Sequence, residues 1–200
     1  MKCIFFDLDG VLVDACEWHY ASLNMALSKN GFKPITRAQH ISTYNGLPTN
    51  TKLDIMGIPI EKRHQIWEDK QNLTIQAIEE NSEYDQSKIE MHQWLKESGI
   101  KIACVTNSIT KTASLMLKCT GQMEYMDLLV SNEMVKNPKP SPEGYLLAVE
   151  HFDAQPSECI VVEDSEKGLM AARKSGCLIW QVKNATEVIL PNLLSTIEHL

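Results

Sequence analysis

Nothing in the 200 residues is apolar for long enough to cross a membrane, since no run approaches the ~20 residues that a span requires. The apolar stretch at the N-terminus ends after four residues at Asp7, too short for the core of a secretory signal. Basic residues are the minority, 19 Lys and Arg against 26 Asp and Glu, and the net charge of −7 argues against a surface that tracks nucleic-acid phosphates. A small anionic ligand remains admissible. With 9 Gly and 8 Pro, and without internal repeats or low-complexity tracts, the chain is neither collagenous nor disordered. Its six cysteines, Cys3, Cys16, Cys104, Cys119, Cys159 and Cys177, contain no Cys-x-x-Cys pair, which removes the zinc knuckle and the redox motif. Reduced, buried thiols and a cytoplasmic location are expected.

What the chain does have is 44% hydrophobic residues, enough for a substantial core, and more length than the ~150 residues of one typical domain. Short apolar runs at Cys3 to Phe6, Ile102 to Val105, Leu128 to Val130, Ile160 to Val162 and Leu178 to Val182 read as buried strands. Helical patterns alternate with the later strands: Ser87 to Ser98 before Gly99, Thr110 to Thr120 before Gly121, Ser141 to Phe152, and Glu166 to Ser175 before Gly176. This alternation predicts an α/β fold, a doubly wound, Rossmann-like parallel sheet whose ligands sit at the carboxyl ends of the strands.

Residues 15–85 break the rhythm, with helical patterns and no strand. Cys16 to Asn30, Thr36 to Thr43, Thr49 to Met56 and Glu61 to Glu80 predict a four-helix insertion, the last presenting Ile66, Trp67, Leu73, Ala77 and Ile78 on one face. The expected organisation is an α/β core from residues 1–14 and 86–200 with an α-helical cap domain at 15–85.

Four segments carry chemistry. Asp7 and Asp9 follow the first strand in Phe6-Asp7-Leu8-Asp9-Gly10-Val11, and Glu163-Asp164-Ser165 follows the fourth. A helix N-cap accounts for Asp164 or Ser165 alone. If the two pairs converge, four carboxylates meet in one cleft, an arrangement that a divalent cation makes tolerable. The second strand runs into Thr106-Asn107-Ser108, whose hydroxyls and amides suit either an anion or ordinary capping. Lys139 stands between prolines in Asn137-Pro138-Lys139-Pro140-Ser141-Pro142, so its backbone is held rigid.

In this order the four segments resemble the haloacid dehalogenase superfamily of phosphotransferases over the whole chain. Within it the likeness is to β-phosphoglucomutase-like phosphatases, through Asp7-Leu8-Asp9-Gly10-Val11 with Asp14, the loop around Gly46, and Glu163-Asp164-Ser165 with Gly168. The resemblance implies Asp7 as nucleophile, Asp9 as general acid and base, and Thr106 and Lys139 with the amides near Asn107 and Ser108 as holders of the transferring oxygens. It implies Mg²⁺ on Asp7, the carbonyl of Asp9 and Asp164, with Glu163 close by. The 15–85 insertion becomes a cap that closes over the cleft, hinged near Val13 to Ala15 and Glu83 to Ser87. His19 matches a histidine at the start of the mutase cap, and the Tyr44 to Thr49 loop, with Gly46 and Thr49, is expected near substrate.

In the mutase pattern an arginine follows the loop glycine by three positions and grips a second phosphate. Thr49 stands there in this chain, with Asn50 and Lys52 beyond, so hydrolysis of a small phosphorylated metabolite is favoured over a phosphomutase reaction. A phosphoacceptor signalling domain combines a similar set of residues but in a different chain order, with no cap and its acidic pair ahead of the acceptor.

Overall fold

A computed structural model describes residues 1–199. Five strands, β1 (Cys3–Phe6), β2 (Lys101–Val105), β3 (Leu128–Val130), β4 (Cys159–Glu163) and β5 (Leu178–Gln181), form one parallel sheet in the order β3-β2-β1-β4-β5. The expected α/β, doubly wound class is what is found. β1 lies at the centre because all four of its residues are apolar and have to be covered on both faces. Alternate side chains point to opposite faces. Ile4 and Phe6 join Ile102, Cys104, Ile160 and Val162 in one apolar cluster, while Cys3 and Phe5 join Ala103, Val105, Cys159 and Val161 in another.

Helices α5 (Gln86–Glu97), α6 (Thr110–Cys119) and α9 (Leu190–His199) contribute Met91, Leu95, Ala113, Met116, Leu117 and Leu193 to the first cluster. Helices α7 (Glu143–His151) and α8 (Glu166–Ser175) contribute Tyr145, Ala148, Ala171 and Ala172 to the second. α9 was not among the expected helices. Its signal is present in Leu190, Leu193, Leu194 and Ile197, and Pro191 is tolerated in a first helical turn, where its missing N–H costs nothing.

Successive connections run to opposite sides of β1, so the sheet's switch point lies where β1 and β4 end, and crevices form there. Asp7 and Asp164 follow those two strand ends. Between β1 and α5 the chain leaves the sheet for α1 (Cys16–Lys29), a single turn α2 (Arg37–Gln39), α3 (Thr49–Ile55) and α4 (Ile60–Asn81). Leu23, Ala26, Leu27, Ile35, Leu53, Ile58 and Ile66 give this segment its own apolar cluster. The helix expected at Thr36 to Thr43 is instead α2, opened by a Thr36–Gln39 capping box, running into a wide turn at His40–Tyr44. The face expected on α4 also differs. Its buried stripe runs through Ile66, Lys70, Thr74 and Ile78, with Asp69 and Gln71 beside it, and Trp67, Leu73 and Ala77 are half-buried. Asp69 is drawn in because Lys29 Nζ and Asn30 Nδ2 donate to its oxygens at 2.7 and 2.8 Å.

His92 on α5 is fully buried, edge-on to Phe6, with its Nε2 on Gln122 Oε1 at 3.0 Å. Burial, with some help from Lys88, lowers its pKa to about 4 against the Gln122 bond and Asp85. A histidine held neutral in the fold binds its proton first in the unfolded chain, so stability is lost as pH falls from about 6.5 towards 4. Between pH 7 and 5 His92 alone is expected to remove about 2 kcal/mol. Urea unfolding across that range should show the slope, and His92→Gln should flatten it.

Candidate active site

β1 delivers Asp7 to the sheet edge, where its backbone N–H still bonds to Val162 O at 3.0 Å. The chain then turns tightly, with the N–H groups of Leu12 and Val13 both on Leu8 O at 2.9 Å. Gly10 is required in this turn. Its φ is +91°, and a Cβ there would lie 2.3 Å from Asp164 Oδ2. The missing side chain lets the loops after β1 and β4 meet, and brings Asp7 to Glu163 and Asp164.

Asp7 is 8% exposed, and Lys139 Nζ donates to its Oδ1 at 2.8 Å and to Glu163 Oε1 at 2.6 Å. Tyr145 donates its hydroxyl to the same Glu163 oxygen at 2.6 Å, and its ring lies 4.8 Å from the ammonium. Glu163 itself has no exposure and rests against Gly168. Burial and the Glu163 charge push the Asp7 pKa well up, with Asp164 and Asp9 adding to it and Lys139 opposing. Burial would depress Lys139, but Asp7 and Glu163 outweigh it and hold the ammonium charged.

Asp7, Glu163 and Asp164 each bring a carboxylate oxygen within 4.8 Å of the others. Asp164 Oδ1 is buried without a hydrogen-bond partner, and burial with the Glu163 charge raises the Asp164 pKa to about 7. Three hard oxygen donors, one of them unsatisfied, fit a hard divalent cation such as Mg²⁺. The Asp9 carboxylate, the fourth expected there, is held elsewhere. His19 Nε2 lies 2.7 Å from Oδ1, and Ser108 Oγ donates to Oδ2 at 2.8 Å. That leaves the backbone carbonyl of Asp9 for the role the resemblance implies.

Lys70 of α4 lies 3.2 Å from His19 Nδ1, completing a line Lys70, His19, Asp9. Burial would raise the Asp9 pKa, but His19, Ser108 and Lys70 bring it down to about 2. His19 is lowered by burial and by Lys70, and Lys70 falls to about 7 through burial and repulsion from Lys52. A neutral His19 that donates from Nε2 and accepts at Nδ1 satisfies all three groups.

Thr106 is buried at the end of β2 and accepts the Ser108 N–H at 3.0 Å. Asn107 acts as a strut, its Oδ1 accepting from Lys139 N at 3.0 Å and its Nδ2 donating to Gly46 O at 2.8 Å. Lys167 Nζ reaches Asn45 O at 2.9 Å, so the loop around Gly46 is tied to the sheet domain at two points. Beneath that loop a cavity of about 30 Å³ touches Asp7, Thr106 and Lys139. A second, of about 270 Å³, is lined by His19, Thr49, Lys52, Lys70 and Gln71. Asp9, Asn45, Gly46 and Asn107 line both, so Asp9 stands in the common wall.

All the residues expected at the site thus border the carboxylate cluster or the two cavities. Lys70, Gln71 and Tyr145 were not expected. Lys70 carried one legible signal, its place four residues after Ile66 and four before Thr74 on the buried stripe of α4.

A doubly wound sheet with paired carboxylates at two strand ends, a buried lysine between them and a small polar cavity above defines a hydrolase of phosphoryl-transfer design. The sequence profile described as haloacid dehalogenase-like hydrolase matches residues 4–182. A phosphorylated carbohydrates phosphatase of Thermotoga maritima is 29% identical over 183 residues, covering 88% of this chain and 82% of its own length. A phosphoglycolate phosphatase of Thiobacillus denitrificans is 27% identical over 195 residues, covering 91% and 83%. A β-phosphoglucomutase structure from Clostridium difficile superposes with a TM-score of 0.84 at 20% identity, covering 100% of this chain and 98% of its own, a likeness of fold. The chain belongs to the haloacid dehalogenase-like hydrolase family and is a phosphatase of that family.

Gly168 is the tightest point of this packing, because a Cβ there would fall 1.9 Å from Glu163 Oε1. Gly168→Ala is expected to push Glu163 off Lys139 and to cost about 1–3 kcal/mol of stability. Thermal unfolding checks this, and an unchanged midpoint would contradict the packing.

Proposed function

We propose that the protein is a Mg²⁺-dependent phosphomonoester hydrolase, acting on a small phosphorylated metabolite through an aspartyl-phosphate on Asp7, with sugar phosphates the first candidates. The observation that carries this reading is the place of Asp9, in the wall shared by a small cavity over Asp7 and Lys139 and a larger one suited to a leaving group. Residues 15–85 serve as the cap, opening to admit substrate and release product. Six free thiols, four of them buried, suit a cytoplasmic setting.

With substrate in place an Asp7 carboxylate oxygen attacks phosphorus, the bond from phosphorus to the ester oxygen breaks, and Asp9 passes to the departing alkoxide the proton it takes from His19 Nε2, which Lys70 replaces at Nδ1. Asp9, now a carboxylate, takes a proton from water as the water oxygen attacks the phosphoryl group, and the bond to Asp7 breaks to release inorganic phosphate. His19 and Lys70 give Asp9 a route for gaining and losing its proton. Lys139, kept cationic by Asp7 and Glu163, holds a transferring oxygen, with the Thr106 hydroxyl beside it. Asp7, Asp164 and the Asp9 carbonyl, with Glu163 adjacent, would hold Mg²⁺, whose positive charge would offset repulsion between the carboxylate nucleophile and a phosphate dianion. Asn107 and Lys167, by holding the loop around Gly46, keep bulk water from the intermediate.

Phosphate release from p-nitrophenyl phosphate and a sugar-phosphate panel tests the reading. Activity should require Mg²⁺, vanish with EDTA, and fall by about 10³-fold or more in Asp7→Asn. Persistent turnover in Asp7→Asn would sink the mechanism, and isomerisation of a hexose 1-phosphate without phosphate release would replace hydrolysis by a phosphomutase reaction.

A further inference from the structure

Four lysines of the described residues are buried, and three have partners. Lys139 holds Asp7 and Glu163, Lys88 donates to Ala185 O at 2.7 Å, and Lys70 meets His19. Lys52 is the exception. It is 5% exposed, yet among the described residues its ammonium makes no hydrogen bond and no ion pair. It lies on α3 in the wall of the larger cavity, onto which its ammonium opens. Burial and the Lys167 charge lower its pKa to about 8 against Asp9 and Cys16, which leaves it cationic at neutral pH. An ammonium removed from water without a counter-charge is costly, so its retention calls for an anion.

Neither of the cavity's own carboxylates pairs with it. Asp9 is occupied by His19 and Ser108, and Glu133 is an exposed residue that accepts the Thr110 N–H at 2.8 Å. Lys70 adds positive charge on the same wall and is repelled by Lys52. Thr49 lies one helical turn before Lys52, and Gln71 faces it from α4 with its Oε1 buried and unpartnered. Thr49, Lys52 and Gln71 are each more than nine-tenths buried. The loss of an arginine at position 49 therefore does not strip this cavity of positive charge.

We propose that Lys52 reads a second negative charge on the leaving group, so that preferred substrates are small hydroxylated phosphomonoesters that also bear a carboxylate or a second phosphate. This rests on the phosphatase reading above. Gln71 Oε1 accepts a hydroxyl of the same group, and a volume of about 270 Å³ limits it to a few carbons.

Matched substrates test the assignment. 3-Phosphoglycerate is compared with glycerol 3-phosphate for the carboxylate, and fructose 1,6-bisphosphate with fructose 1-phosphate for the second phosphate. At least one charged member should exceed its neutral partner about tenfold or more in kcat/KM, and which one does identifies the anion. In Lys52→Met that ratio should collapse towards one, mainly through KM, while Lys52→Arg keeps most of it. Equal kcat/KM within both pairs, or a ratio that survives Lys52→Met, would overturn the proposal. A readout without turnover separates the two readings, namely the shift in thermal midpoint given by glycerate or fructose 6-phosphate against glycerol or fructose. A shift confined to the charged compounds and lost in Lys52→Met supports the role of Lys52 even if no phosphate is released from any ester, in which case the phosphatase reading alone fails. Turnover of p-nitrophenyl phosphate with neither preference nor shift refutes the role of Lys52 alone.

Discussion

Lys139 holds together two buried carboxylates, Asp7 and Glu163, that would repel each other in the centre of the protein. Breaking such a group is far more costly than never building it, because the charge left behind has no water to stabilise it. The surroundings can be understood as means of keeping it intact. Tyr145 satisfies Glu163 and lies along the ammonium, Gly168 gives Glu163 room, and Asn107 fixes the Lys139 backbone from the end of another strand. The parallel sheet is what makes the grouping possible. β1, β4 and β2 end side by side, and the first residues beyond them are Asp7, Asp164 and Thr106.

The inserted helices are organised on a different principle. Their apolar cluster lies away from the sheet, while the stripe of α4 nearest the site is lined with Lys70, Gln71 and Thr74. A face of this kind contributes less to stability than an apolar one of equal area, and it supplies groups that an anionic ligand can use. The segment meets the sheet domain through hydrogen bonds from Asn107 to Gly46 and from Lys167 to Asn45, through the His19 to Asp9 contact, and through Ile78 of α4 and Trp18 of α1, which pack into the first sheet cluster. The hydrogen bonds around the Gly46 loop are of a strength that can break and re-form, whereas the apolar contacts of Ile78 and Trp18 keep the base of the segment on the sheet domain.

Much of this was legible in the chain. Apolar runs of three to five residues alternating with helical patterns determined the class of fold, since strands covered on both faces have no polar side to show. The spacing of Asp7, Asp9, Thr106, Lys139, Glu163 and Asp164 along those elements was enough for the family resemblance. The inserted helices were less legible. A lysine on a helix reads as solvated unless a facing surface is known, so nothing in the chain marked Lys70 as buried, and of the face expected on α4 Ile66 and Ile78 are buried while Trp67, Leu73 and Ala77 are half-buried.

The sequence by itself determined the strands, their order of use and the residues placed at their carboxyl ends, because these depend on local periodicity and on what immediately follows a strand. Only the tertiary structure decided which charges are paired. It set Lys139 between Asp7 and Glu163, gave His19 and Lys70 to Asp9, and left Lys52 without a counter-ion. Pairing depends on distances between residues far apart in the chain and on how much water reaches them, and neither quantity is carried by local pattern.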